Sequence, residues 1–168
     1  MKKIFFTFVL TCLILSNVFG QDRKHNVYLN LYALFYGIFT GNGPGIGIGY
    51  DYNINQDFAV GAYGQFYSFF NDNNTTFDLI VNGKYYPIKT EIGNPYINAG
   101  LGIRRNHKDG ENFYGLIVPV YFGWKYIFQN GLFLDPALGV RYNAASFMGA
   151  YENHSFITAV RASIGWVF

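Results

Sequence analysis

The chain has 168 residues and a formal net charge of +2, and it holds 20 glycines, 18 phenylalanines, 15 tyrosines and a single cysteine. From Gln21 onward ten Lys and Arg face ten Asp and Glu, a balance that argues against nucleic acid as a partner, because neutralising phosphates takes a basic surface. The wealth of aromatic residues and glycine beside sparse Ala, Glu and Lys points to β structure.

The first twenty residues read as an export signal. Lys2 and Lys3 open it, Ile4 to Leu15 form an apolar run, and Val18 and Gly20 offer small residues before Gln21. The run is too short for a membrane-spanning helix, which needs about twenty residues. Cleavage after Gly20 is expected, giving residues 1–20 as signal peptide and 21–168 as the working domain. Cys12 would leave with the signal. Thr11 before it is too large for lipoprotein processing, so a disulfide framework and a thiol nucleophile are both excluded.

Period-two alternation then recurs along the chain between turn-rich clusters. Strands are expected at about Asn26 to Tyr36, Pro44 to Asn53, Asp57 to Tyr67, Thr76 to Tyr86, Pro95 to Arg104, Phe113 to Ile127, Leu132 to Asn143 and Ser155 to Phe168. Tight connections at Asn53 to Gln56 and Phe128 to Gly131, and a longer one at Ile88 to Asn94, fall on the side of the termini. Four connections of moderate length fall on the other, among them Asn106 to Asn112. Strands of this length suit a tilted bilayer crossing of about nine to eleven residues.

The two faces of these strands differ in kind. One is apolar throughout, for example Leu79, Val81, Leu101, Val120, Phe122, Leu138 and Val140, and it ends in aromatics at Tyr50, Tyr52, Tyr85, Tyr114, Trp124, Tyr126, Tyr142 and Trp166. These suit an interfacial girdle. The opposite face carries Asp51, Asp78, Lys84, Arg104, Lys125, Asp135, Arg141 and Arg161 among amides and glycines. A water-facing surface would be richer in Lys and Glu, so the polar face is expected inside. The chain is therefore expected to be all-β, an eight-stranded antiparallel up-and-down transmembrane β-barrel in a bacterial outer membrane. A soluble secreted ligand-binding barrel, with the faces inverted, is the alternative fold reading. The interior charges should form a paired plug, and Lys125 and Asp135, placed symmetrically about the Phe128 to Gly131 turn, are expected to pair across it.

The closing strand Ala159-Val160-Arg161-Ala162-Ser163-Ile164-Gly165-Trp166-Val167-Phe168, the stretch Gly123-Trp124-Lys125-Tyr126-Ile127-Phe128 through Gly131-Leu132-Phe133-Leu134-Asp135-Pro136, and Lys84-Tyr85-Tyr86-Pro87 followed by Pro95-Tyr96-Ile97-Asn98-Ala99-Gly100-Leu101-Gly102 resemble small outer-membrane β-barrels of the OmpA and OmpX transmembrane type. The resemblance implies insertion by the barrel-assembly machinery, which in that family reads a C-terminal aromatic strand, here ending in Phe168. Periplasmic chaperones during transit, and membrane lipid and lipopolysaccharide as surroundings, follow from it.

Lipid A deacylases and palmitoyltransferases are built on this scaffold, so His107, His154 and Ser155 are the candidates for lipid-modifying chemistry. His154 and Ser155 are sequence neighbours and point to opposite faces of a strand, which leaves no serine and histidine oriented for proton transfer. No spacing suggests a metal or a cofactor, and Gly41, Gly43, Gly45, Gly47 and Gly49 precede no helix and hold no lysine, unlike a phosphate cradle. A structural or surface-interaction role through the outer loops is the expected function, and a lipid A-modifying enzyme or a small-solute pore are the alternatives.

Overall fold

The computed structural model describes residues 24–34, 42–69, 75–90, 93–108, 110–148 and 155–168. The expected signal peptide and His154 lie outside them.

Eight antiparallel strands follow in order: β1 His25–Leu34, β2 Asn42–Asn53, β3 Phe58–Phe69, β4 Thr75–Tyr85, β5 Asn94–Lys108, β6 Glu111–Ile127, β7 Leu132–Met148 and β8 Ser155–Val167. Each pairs with its chain neighbours, and β8 returns to β1 in a register running from Asn26↔Val167 to Leu34↔Ala159. The sheet is thus a closed up-and-down barrel. Closure removes the two edges of unpaired N–H and C=O groups that an open sheet would expose, the one solution open to strands in lipid.

Local chemistry sets the connections at the end that carries the termini. Asn55 Oδ1 accepts from the N–H groups of Asp57 and Phe58, both at 2.8 Å, closing the β2–β3 turn. The β6–β7 turn uses Gly131 at φ +84°, and Asn130 Oδ1 accepts from the Leu132 N–H at 3.0 Å.

The far end departs from expectation. The run expected as a loop at Asn106 to Asn112 is largely strand: β5 continues to Lys108, which faces Glu111 of β6. Between them Gly110 has φ +85°, a left-handed conformation that glycine adopts without steric cost. Pairing of β5 on both flanks, with Thr75↔His107 on one side and His107↔Asn112 on the other, overrides the low strand propensity of this polar run. β7 likewise runs to Met148, past the expected end at Asn143. At about 3.3 Å per residue and a tilt near 40°, the 17-residue strands β6 and β7 rise about 15–20 Å beyond an apolar band some 25 Å tall.

The packed core is the lumen. Tyr28, Tyr32, Tyr63, Tyr67, Tyr96 and Tyr121 fill it together with Ile80, Ile117 and Phe133, each 2% exposed or less. Glycines on the same face admit these rings: a Cβ on Gly49 would strike the Tyr28 ring, and one on Gly123 the Tyr96 ring.

Candidate functional site

Position parity carries the charged side chains inward. Asp51, Asp78, Lys84, Lys125, Asp135, Arg141 and Arg161 are all 2% exposed or less, and Arg104 is partly covered. Burying unpaired charge costs several kcal/mol per ion, so where the partners lie decides what this interior is.

Two clusters divide it. Nearer the termini, Lys84 Nζ sits 2.9 Å from Asp51 Oδ2 and 3.0 Å from Asp135 Oδ2. Tyr28 donates to Asp51 at 2.9 Å. Tyr96 donates to Asp135 and accepts from Arg161 at 2.6 Å, and Arg161 Nη2 lies 3.9 Å from the Asp135 carboxylate. Toward the far end Asp78 is the hub. Arg104 grips it with Nε at 2.7 Å and Nη2 at 2.9 Å, Gln65 donates at 2.7 Å, and Arg141 completes the set while also donating to Tyr67. Such bidentate, charge-assisted bonds are the strong kind. The chain of contacts continues upward through Arg104 to Asn143 at 2.8 Å and Asn143 to Ser155 at 2.9 Å.

The Lys125 to Asp135 ion pair expected from sequence does not form. The register pairs Gly123↔Ala137 and Tyr126↔Leu134 bracket the two residues, so they do oppose each other. The acceptors of Asp135 are taken from across the lumen by Lys84 and Tyr96. Lys125 instead lies over the Phe133 ring, 4.2 Å from its centroid, and donates to Asn26 Oδ1 at 2.6 Å. The tyrosine partners and Asn26 were absent from the sequence-based site, although each shares the inward parity of the charges it serves.

Outside, the pattern reverses. Val81, Phe122 and Phe156 are 61%, 60% and 76% exposed, within an apolar surface far larger than a soluble monomer tolerates. All eight expected girdle aromatics point outward. Tyr50, Tyr52, Tyr85, Trp124, Tyr126 and Trp166 ring the end with the termini, and Tyr114 and Tyr142 lie toward the far end. Phe168, which strict alternation along the closing strand would place on the outward face with Trp166 and Ile164, lies beyond β8 and is covered, its ring stacked on His25 and its backbone exchanging two 2.9 Å hydrogen bonds with that residue.

Among the described residues one strand charge faces outward, and it lies just past the strand end expected at Arg104. Arg105 is exposed between Phe77 and Tyr114, and His107 follows one step higher. Both bond Asn112 Oδ1, at 3.0 and 3.1 Å. Strand extension past Arg104 puts adjacent arginines on opposite faces. His107 is on β5 and Ser155 on β8, each held by an asparagine. Among the described residues no group of three His, Cys, Asp or Glu side chains could hold a metal.

An apolar exterior over a closed sheet with an ionic interior defines a membrane-spanning β-barrel of the small outer-membrane type. No protein-family model matches the chain, and no curated protein matches it in sequence. Among solved structures it is similar to Neisserial surface protein A (NspA), with a TM-score of 0.61 at 15% identity, covering 86% of this chain and 95% of that one. Ail, the attachment invasion locus protein of Yersinia pestis, matches with a TM-score of 0.47 at 13% identity over 86% of this chain and 97% of its own. The de novo designed barrel TMB2.3 matches with 0.47 at 18% identity over 88% and 98%. The likeness to NspA carries the fold.

Proposed function

We propose that this chain is a non-enzymatic outer-membrane protein whose sealed, charge-paired lumen anchors a rigid outer rim, and that the rim contacts lipopolysaccharide or other surface molecules. The observation that carries this reading is the filling of the lumen: Arg141, Arg161 and six tyrosines, each 2% exposed or less, occupy the cross-section that a solute would need. NspA, the neighbour of similar fold, is by name a surface protein.

In this reading residues 1–20 are removed on export, periplasmic chaperones carry the chain, and the assembly machinery takes up the strand that ends at Phe168. The outward aromatics sit at the two bilayer interfaces, with the termini in the periplasm. The raised β5–β7 sheet then faces the outside, and Arg105 and His107 meet the phosphates of the outer leaflet, where a guanidinium is the apt donor.

Planar-bilayer recording of the purified barrel tests the lumen: no stepwise conductance is expected, and unitary steps would restore the pore reading. R105Q tests the rim. It should weaken binding of the barrel to lipopolysaccharide-containing liposomes while leaving insertion into phosphatidylcholine unchanged, and equal binding would remove the lipopolysaccharide contact.

A further inference from the structure

A cavity of about 240 Å³ opens at the end of the barrel that carries the termini, and Lys24, Asn53, Gln56, Tyr86, Asn94 and Lys125 line it. We propose that it is a binding site for a small monocarboxylate, held by the Lys125 ammonium and the Tyr86 hydroxyl.

The lining is a donor set without a carboxylate: two ammonium groups, the amides of Asn53, Asn55, Gln56 and Asn94, and one phenol. Lys125 is 2% exposed, and its hydrogen bond goes to the neutral oxygen of Asn26. An ammonium has three donors, so capacity is left over. Both nearby carboxylates, Asp51 and Asp135, are held by Lys84. The Tyr86 hydroxyl, in a residue only 8% exposed, has no hydrogen-bond partner, a deficit that a native protein satisfies with a ligand or water.

Charge fixes the class of ligand. Among the fully buried charges Lys84, Lys125 and Arg161 face Asp51 and Asp135, three cations against two anions, while Lys24 stands half-buried at the mouth, so one carboxylate neutralises the buried excess. Size narrows it further, because the cavity is smaller than the usual 300–1,000 Å³ of ligand pockets. Ile54 and Ile127 in the lining offer apolar contact to a short tail, which chloride lacks. Two sources share this chemistry: a free small acid, and the carboxylate end of a peptide. That the mouth faces the periplasm rests on the function proposed above, whereas binding itself does not.

The test uses the protein purified from membranes, kept folded in detergent micelles and labelled with ¹³Cε-lysine. The resonance shifted by the Phe133 ring identifies Lys125 without any substitution, and its loss in K125M checks the assignment. Sodium acetate and N-acetylglycine are titrated at constant ionic strength set with sodium chloride. The expected result is a saturable shift of the Lys125 signal, with an affinity about tenfold weaker in Y86F, which keeps the ring and loses one charge-assisted hydrogen bond. Saturation by acetate assigns a free acid, and saturation by N-acetylglycine alone assigns a peptide end. No saturable shift with either, an equal shift with chloride, or unchanged affinity in Y86F overturns the site. Failure of this titration in a barrel that remains closed leaves the sealed-lumen reading standing, and conductance would refute that reading separately.

Discussion

Lys84 on β4 reaches Asp135 on β7, Nζ to Oδ2 at 3.0 Å, across the lumen instead of along the sheet. With Asp51 on β2 at 2.9 Å, one ammonium ties together three strands, none of which pairs with another of the set. A buried pair adds little net stability by itself, but removing one partner strands the other, which costs about 3–5 kcal/mol. K84M should therefore lower unfolding free energy in detergent by about that amount, read from urea titration of the folded band. Adding D51N to K84M should restore part of the loss, since among the described residues Lys84 is the only cation paired with Asp51, whereas Asp135 keeps Arg161 at 3.9 Å.

The Asp78 hub predicts an asymmetry. Among the described residues D78N removes the only carboxylate paired with Arg141, whose side chain is 1% exposed, whereas R104Q leaves Asp78 paired with Arg141 and removes an arginine that is 11% exposed. D78N should cost about 3–5 kcal/mol and R104Q about 1.5–3 kcal/mol, the value of hydrogen bonds to a charged group. The same urea titration ranks them.

Glycine substitutions should sort by face. A Cβ on Gly49 or Gly123 would land on the ring of Tyr28 or Tyr96, and displacing those rings pulls a phenol from Asp51 or Asp135. G49A and G123A should each cost about 1–3 kcal/mol. On the outward face, a Cβ on Gly64 would meet Phe77 at 3.6 Å and one on Gly83 only the Ala59 carbonyl at 4.0 Å. G64A and G83A should unfold at the same denaturant concentration as the parent.

The exterior predicts a depth dependence. Val81 sits midway along the outward face of β4 and Ile97 at its edge beside Tyr85. In lipid, V81R should cost about 2–4 kcal/mol and I97R about 0–1 kcal/mol. A water-facing wall would tolerate both within about 0.5 kcal/mol, so reversible folding into bilayers of the two variants distinguishes the solvents.

The strands and their faces were legible because period two is a local property: Asp78, Ile80, Asn82 and Lys84 share a face whatever their neighbours do. The partners of those charges were not legible. Lys125 and Asp135 stand opposite each other in register, as the turn between them implies, yet each bonds a residue on a third strand, because side chains long enough to cross a narrow lumen meet partners from any wall. Tyr28, Tyr67 and Tyr96 had the parity to be found, but a tyrosine reads equally well as an interfacial aromatic. The Asp109-Gly110 signal for a tight hairpin was present, and the polar run around it masked the strands on either side. Arg105 became an outward cation only once that strand continued.

Closure of this barrel in a membrane underlies every assignment of its two faces. The most direct measurement is gel migration of the protein from purified outer membranes, with and without boiling in detergent. A band that runs fast unboiled and slow when boiled, found in the outer-membrane fraction, is the predicted result. A single unshifted band in the soluble periplasmic or secreted fraction would contradict it and turn the two faces of every strand the other way.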